Sequence, residues 1–121
     1  MTEQRNALVV DDHPTNRLLA SALLKKLGWT VMEADCGNSA LALAEQHPFN
    51  LVLLDISMPG LSGEDTCAQL RSKTAAHPLH IVAYTAHAFP EDQERLIAAG
   101  FDEVLVKPIS RQRLEELIAR L

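Results

Sequence analysis

Five residues that could bind a cation or react with phosphate each end a short run of aliphatic or β-branched residues. Asp11 and Asp12 follow the first such run, and Asp55 follows the most aliphatic one. Thr85 and Lys107 end two further runs. Runs of this length and composition predict buried β-strands, so all five residues are expected at strand ends. A single acid at a strand end is often only a helix cap, but this set of residue types at four strand ends makes that explanation much weaker.

The charge of these residues predicts a bound divalent cation. Three carboxylates and one ammonium leave an excess of negative charge. Two like charges about 4 Å apart repel by roughly 4 kcal/mol at an effective dielectric constant near 20. Such a cluster must bind a cation, shift a pKa, or do both. Because all the ligands are oxygens, Mg²⁺ or Mn²⁺ is favoured over zinc.

A hard cation beside a lysine and a hydroxyl is suited to phosphoryl transfer. The cation and Lys107 would each neutralise a phosphoryl oxygen, and Thr85 would donate a hydrogen bond to another. One carboxylate would attack in line and form an aspartyl phosphate. Asp55 is the preferred nucleophile because it stands alone, whereas Asp11 and Asp12 form a pair suited to holding the metal.

The elements that must position these residues alternate between strands and helices. The predicted strands are residues 7–10, 30–34, 51–54, 81–84 and 104–106, and the predicted helices are about 15–27, 39–46, 63–71, 91–99 and 111–121. Five βα units predict an α/β fold with a parallel sheet and helices on both faces. A doubly wound sheet with strand order 2-1-3-4-5 is preferred over a Rossmann half, although the pattern alone does not determine the order. The three acids would then meet at the switch point of the sheet.

Length and composition exclude several other classes of protein. The 121 residues predict one domain, residues 1–121, without a linker or repeat. A net charge of −5 without a basic cluster argues against nucleic-acid binding. No aliphatic run is long enough to cross a membrane, and the polar first residues are unlike a secretory leader. Cys36 and Cys67 are too few for a disulfide framework, so we expect reduced thiols in a cytoplasmic domain.

Four short motifs together resemble the receiver domain of two-component response regulators, over essentially the whole chain. In chain order they are Val9-Val10-Asp11-Asp12, Leu53-Leu54-Asp55-Ile56-Ser57-Met58-Pro59-Gly60, Tyr84-Thr85-Ala86 and Val106-Lys107-Pro108. Each motif is weak alone, but their order and spacing are specific. The resemblance implies the flavodoxin-like (βα)5 fold, which adds support to the strand order.

The resemblance implies how the cation and the phosphoryl group would be held. Asp55 would accept the phosphoryl group from a phosphohistidine on a partner and would later lose it by self-catalysed hydrolysis. Asp12 and Asp55 would ligate Mg²⁺ directly, with the backbone carbonyl of Ser57 as a third protein ligand. Asp11 would act through water.

The resemblance also assigns the residues around the phosphoryl group. Thr85 would shift inward to bond it, and Lys107 would pair with it across a cis Lys107–Pro108 bond. Ala86 suits a position where a small side chain leaves access. Many members carry Tyr or Phe three residues before the lysine, where this chain has Val104. The aromatic half of the conformational switch is therefore missing.

Histidines are expected to have supporting roles. In the family, the positions of Ser57 and His87 influence the access of hydrolytic water, so both are predicted to modulate phosphoryl lifetime. His13, beside the acidic pair, is expected to tune local charge rather than to bind metal. The five histidines, His80 among them, are otherwise predicted to be solvated loop residues.

The residues flanking the motifs resemble receivers fused to hybrid sensor histidine kinases. The flanking segments are residues 12–17, 85–88 and 99–109, and the chain stops at its last predicted helix without an output domain. These features favour a hybrid-kinase receiver over a free-standing single-domain regulator. Its partners would be a histidine kinase core, a histidine phosphotransfer domain, or both, docking along the first helix; a weak homodimer and a membrane anchor for the parent protein stay open. The isolated domain would not be a conventional enzyme.

Three other functions compete with this interpretation. A flavodoxin-like cofactor binder is disfavoured, because Asp11 and Asp12 lie where a flavin phosphate needs N–H donors. A phosphatase with an aspartate nucleophile needs a second Asp two residues later, where this chain has Ser57. A phosphorylation-silent docking module would not need Asp55 and Lys107.

Overall fold

The computed structural model describes residues 5–56, 60, 62–73, 79–86, 89–107 and 109–120. Strands and helices alternate through this part of the chain. They are β1 (Asn6–Val10), α1 (Pro14–Lys26), β2 (Thr30–Ala34), α2 (Gly37–Gln46), β3 (Leu51–Asp55), α3 (Gly63–Lys73), β4 (His80–Thr85), α4 (Pro90–Ala98), β5 (Glu103–Val106) and α5 (Arg111–Ala119). None of these helices is long and apolar enough to cross a membrane.

The strands form one parallel sheet in the order β2-β1-β3-β4-β5. The predicted α/β class and strand order are both confirmed. Val10 pairs with Leu54 across β1 and β3, and Thr85 pairs with Val106 across β4 and β5. Because the pairing is parallel, the carboxyl ends of all these strands lie along one edge of the sheet.

Helices cover both faces of the sheet. Residues of α2, α3 and α4 pack on one face, and residues of α1 and α5 pack on the other. The central strands β1 and β3 send alternate side chains into these two cores, and residues 51–55 are buried throughout. This burial explains why β3 is aliphatic at every position before its final acid.

The ends of the helices follow from local chemistry. Gly28 and Gly100 adopt φ values of +91° and +114° directly after α1 and α4, where residues with a Cβ are strained. Ser110 Oγ accepts a hydrogen bond from the Arg113 N–H and caps α5. The start of α5 agrees with the sequence prediction, and the ends of α1 and α4 lie one residue before the predicted ones.

Most element boundaries differ from the prediction by one or two residues, and three of these differences bear on the site or have a clear local cause. Helix α2 begins at Gly37 rather than Ser39, because Cys36 is extended and its Sγ accepts the Ser39 N–H. Strands β3 and β4 run one residue further than predicted and include Asp55 and Thr85 themselves. Two of the residues that could do chemistry are therefore part of the sheet rather than of the loops that follow it.

Candidate functional site

Three aspartates meet at the carboxyl edge of the sheet. Asp55 is the last residue of β3, and Asp11 and Asp12 directly follow β1, the neighbouring strand. One carboxylate oxygen from each acid and a ring nitrogen of His13 lie within 4.8 Å of one another. We call Asp11, Asp12, His13 and Asp55 the acidic cluster. The structure brings together the three acids singled out from the sequence and adds a histidine that was expected only to tune their charge.

Lys107 joins two of these acids across the sheet. Its Nζ lies 2.9 Å from Asp11 Oδ2 and 3.4 Å from Asp55 Oδ2. Lys107 follows β5, so the ion pair with Asp11 links residues that are 96 positions apart in the chain. The ammonium also lies 4.7 Å from the centroid of the Tyr84 ring, within cation–π range. The lysine is thus held between two carboxylates and an aromatic face.

Two members of the acidic cluster are withdrawn from solvent, and the other two, Asp12 and His13, are not. Asp11 and Asp55 are 0% and 2% exposed, whereas the Asp12 side chain keeps 27% of its exposure. Burial alone would raise the pKa of Asp11, but hydrogen bonds from Lys107 and from the His13 N–H, with the Lys107 charge, hold that pKa below its usual value. Asp11 is therefore ionised at neutral pH. The cluster therefore has three carboxyl groups beside one ammonium, that of Lys107.

The ring of Tyr84 lies beside the Lys107 ammonium. Its side chain belongs to the core that α1 and α5 cover, as strand alternation predicted. Burial, then the negative charge of Asp11, raises the pKa of Tyr84 to about 12. The phenol is therefore neutral and offers Lys107 an uncharged aromatic face.

Arg17 fixes the main chain of the acidic segment. Its Nη1 donates to the backbone carbonyl of Asp11 at 2.8 Å, and its Nε donates to Glu33 Oε1 at 3.2 Å. The arginine lies on α1 and the glutamate on β2, so three elements meet at this carbonyl. Arg17 lies in the flanking segment of residues 12–17, and the sequence analysis assigns it no role in the site. The feature that could have indicated a role for Arg17 is its position, one turn into the helix that begins beside the acids.

Thr85 and Lys107 are connected through their main chains. The Lys107 N–H donates to the Thr85 carbonyl at 2.7 Å, which continues the β4–β5 ladder beyond the last strand residue. Thr85 is buried and reaches the same sheet edge as the acids, while Ala86 after it is exposed. Val104, where many receivers have an aromatic residue, is half-buried and pairs with Ala83.

Some predictions fall outside the described residues or differ from the structure. Ser57, His87 and Pro108 lie outside the described residues, so the carbonyl ligand, the control of hydrolytic water and the cis bond stay predictions. His80 was expected in a solvated loop, but this is wrong. It is the first residue of β4, it is half-buried, and its Nε2 lies 2.7 Å from Glu103 Oε2.

Comparison with known families decides the identity of the domain. The model of the response regulator receiver domain matches residues 7–119. The chain belongs to the response regulator receiver domain family. The fold described above and the resemblance of the four motifs agree with this membership.

The receiver domain is similar to parts of much longer sensor kinases. It is 39% identical over 116 residues to the sensor histidine kinase GacS of Pseudomonas protegens, and the match covers 93% of this chain and 13% of that protein. The chain thus spans about one-eighth of the length of this relative. The matched region of the longer protein supports the resemblance to receivers of hybrid sensor kinases.

Solved structures show the same fold. The chemotaxis protein CheY4 of Vibrio cholerae superposes with a TM-score of 0.89 at 28% identity, covering 98% of both chains. The receiver domain of the sensor histidine kinase PA1611 from Pseudomonas aeruginosa gives a TM-score of 0.86 at 30% identity, covering 98% of this chain and 97% of that one. The PA1611 structure has a magnesium ion coordinated in its active-site cleft.

Proposed function

We propose that this receiver domain, residues 1–121, is the phosphoacceptor of a two-component phosphorelay. Asp55 takes a phosphoryl group from a phosphohistidine on a partner, and the domain later hydrolyses the aspartyl phosphate itself. The observation that carries the proposal is the position of the Lys107 ammonium, 2.9 Å from Asp11 and 3.4 Å from Asp55 beside a further acid. A fixed ammonium beside a carboxylate nucleophile, with further acids that could hold a divalent cation, is suited to phosphoryl transfer.

Position in the sheet and the contact with Lys107 favour Asp55 over Asp11 as the nucleophile. Both carboxylate oxygens of Asp11 accept hydrogen bonds at 2.9 Å, one from the His13 N–H and one from Lys107. Asp55 has the longer contact with Lys107 and lies at the end of a central strand. An oxygen of Asp55 attacks phosphorus in line, the N–P bond breaks, and the imidazole of the donor leaves with a proton.

The acidic cluster fits a magnesium or manganese ion. Asp12 Oδ1 is buried and finds no hydrogen-bond partner in the described part of the chain. A buried carboxylate oxygen of this kind, beside two other acids, is the oxygen-rich donor set that hard cations prefer. Asp12 and Asp55 would hold the ion directly, with Asp11 acting through water and the Ser57 carbonyl completing the set. When bound, the ion neutralises charge on the transferring phosphoryl group.

Lys107 and Thr85 complete the site. Lys107 pairs with a phosphoryl oxygen once Asp55 is modified, since it already lies within ion-pair distance of that carboxylate. Thr85 donates its hydroxyl hydrogen bond from the adjoining strand end. Ala86, Ser57 and His87 then govern access of water to the phosphoryl group.

A hybrid sensor histidine kinase is the proposed parent protein. The similarity to GacS and to the PA1611 receiver supports this context. The donors would be a histidine kinase core or a histidine phosphotransfer domain in the cytoplasm, with the parent anchored in the inner membrane. Leu18 and Leu19 of α1, which are 66% and 44% exposed, give the docking edge an apolar surface.

A free-standing response regulator is the second candidate. It is favoured by the similarity to CheY4, which matches this chain over 98% of both lengths. The complete reading frame separates the two, because only a hybrid kinase has a kinase region in the same chain.

Phosphorylation by acetyl phosphate tests the proposed function. The chain is incubated with acetyl phosphate and Mg²⁺, and its intact mass is measured. We expect one added phosphoryl group in the wild type and none in Asp55→Asn or in the presence of EDTA. Asp35→Asn, which changes an exposed aspartate outside the acidic cluster, should incorporate the group normally. A wild type that takes up no phosphoryl group would instead support a silent docking module.

A further inference from the structure

His13 contributes an imidazole nitrogen to the acidic cluster, and magnesium sites use oxygen ligands instead. Its Nδ1 lies 3.0 Å from Asp12 Oδ1 and 3.6 Å from Asp11 Oδ1. Its backbone N–H donates to Asp11 Oδ1 at 2.9 Å, so the residue is held beside the acids by its main chain. The imidazole therefore lies beside two carboxylates, although 69% of the His13 side chain is exposed.

The contact between His13 and Asp12 does not have the geometry of a hydrogen bond. Asp12 Oδ1 has no hydrogen-bond partner among the described residues, although the His13 ring nitrogen is only 3.0 Å away. A buried carboxylate oxygen without a hydrogen bond costs free energy unless a cation compensates it. The His13 nitrogen and the Asp12 oxygen, 3.0 Å apart, are spaced as two ligands of one ion would be.

The nitrogen ligand changes which cation the cluster prefers. Carboxylates suit Mg²⁺ and Mn²⁺, whereas imidazole suits zinc, iron, nickel and copper. We propose that His13 is a metal ligand that tightens the binding of borderline first-row divalent cations, such as Ni²⁺ or Zn²⁺, to the acidic cluster. The inference deepens the proposed function, because it takes the same cluster as the metal site. It gives that site a dependence on metal identity that its carboxylates alone would not provide.

Calorimetric titration of the untagged, metal-stripped chain tests this inference. Wild type and His13→Asn are titrated separately with Ni²⁺ and with Mg²⁺. We expect His13→Asn to weaken Ni²⁺ binding about tenfold or more, since even the loss of a residue that only supports a ligand has that effect. Binding of Mg²⁺ should change by less than about twofold, because a hard cation gains little from imidazole. The visible spectrum of bound Ni²⁺ should also shift in the variant as a nitrogen ligand is replaced.

Two further variants locate the ion. His47→Asn changes an exposed histidine after α2, so Ni²⁺ affinity should stay at the wild-type value. Asp12→Asn removes a proposed ligand of both ions, so Ni²⁺ and Mg²⁺ should both bind much more weakly.

Each remaining outcome decides one of the two proposals. Equal Ni²⁺ affinity in wild type and His13→Asn would overturn the inference, as would an equal loss in His47→Asn. A wild type that binds Ni²⁺ through His13 but neither binds Mg²⁺ nor accepts a phosphoryl group would overturn the proposed function and leave the inference standing.

Discussion

The two edges of the sheet hold charged side chains in opposite ways. At the carboxyl edge, two acids of the cluster, Asp11 and Asp55, share the ammonium of Lys107. At the amino edge, each carboxylate has a cation of its own. This second group, the amino-edge network, consists of Arg71, His80, Asp102, Glu103 and Arg120.

Arg71 shows how completely the amino-edge network is satisfied. Its guanidinium contacts the Asp102 carboxylate and donates to the backbone carbonyls of Gly100 and Leu79. Asp102 also accepts the Ile81 N–H at 2.8 Å. The network thus ties the end of α3 to the segments that enter β4 and β5, and each of these polar groups has a partner.

The difference separates groups that hold the fold together from groups that carry out chemistry. A cluster with matched charges has nothing to gain from a ligand, so its contribution goes to stability. A cluster with surplus negative charge weakens the fold until a cation offsets that charge. Variants of the two edges should therefore differ both in what they lose and in the sign of their effect on stability.

The largest expected difference concerns phosphorylation. Lys107→Met should slow uptake of the phosphoryl group from acetyl phosphate by about 100-fold, as loss of one charge-stabilising donor does in other enzymes. Arg71→Met removes an equally charged side chain from the other edge and should change the rate by less than about twofold, because nothing in the amino-edge network contacts the acids. Intact mass measured over time gives both rates. Equal slowing in the two variants would contradict the division of roles.

Arg71→Met, which should hardly affect phosphorylation, should clearly lower the stability of the fold. Arg71→Met leaves the Leu79 and Gly100 carbonyls and the Asp102 carboxylate without their donor, so it should lower the free energy of unfolding by about 2 kcal/mol. Urea unfolding in EDTA measures the change. Arg111→Met, which breaks only an exposed ion pair with Glu115, should cost no more than about 0.5 kcal/mol and serves as the control.

Neutralising one acid at each edge should change stability in opposite directions. Asp12→Asn relieves repulsion within the acidic cluster and should stabilise the metal-free protein by about 1 kcal/mol. Asp102→Asn removes the partner of Arg71 and should destabilise it by a similar amount, about 1 kcal/mol. Urea unfolding in EDTA again gives the values. Saturating Mg²⁺ should erase the advantage of Asp12→Asn, because only the wild type gains binding energy. Destabilisation by Asp12→Asn in EDTA would argue against surplus charge at this edge.

The smallest effect should be a dependence on acid pH. Burial would raise the pKa of Asp102, but the hydrogen bonds from the Ile81 N–H and Arg71, with nearby positive charge, hold it below its usual value of 3.8. A depressed pKa contributes stability above pH 3.8 that is lost as pH falls through the lower, folded-state value. The urea midpoint should therefore fall less between pH 5 and pH 3 in Asp102→Asn than in the wild type. An identical fall would show that Asp102 does not contribute.

The carboxyl edge could be predicted because its logic is local. Asp11 and Asp55 follow aliphatic runs that can only be buried strands, and parallel strands bring their carboxyl ends to one edge. The pairing with Lys107 follows from the same rule, despite the 96 positions between it and Asp11. The strand order was a preference that the family resemblance supported, because hydrophobic periodicity contains no information about which strands are neighbours.

The amino edge could not be predicted in this way. Arg71 lies near the end of a helix and Asp102 lies in a turn 31 residues later, and no periodic pattern connects two such positions. His80 was misassigned because β4 begins one residue earlier than its aliphatic run indicates. The approach of the His13 ring to Asp12 depends on a side-chain rotamer, which the sequence does not specify.

The backbone hydrogen bond between Lys107 and Thr85 connects the carboxyl ends of β4 and β5. A group that displaces the Lys107 ammonium should also displace the Thr85 peptide, because the two backbones are hydrogen-bonded to each other. We therefore expect the two side chains to move together. Tyr84, whose ring contacts the Lys107 ammonium, lies in the core covered by α1 and α5. The acids are thereby connected, through Lys107 and Tyr84, to the core that α1 and α5 cover.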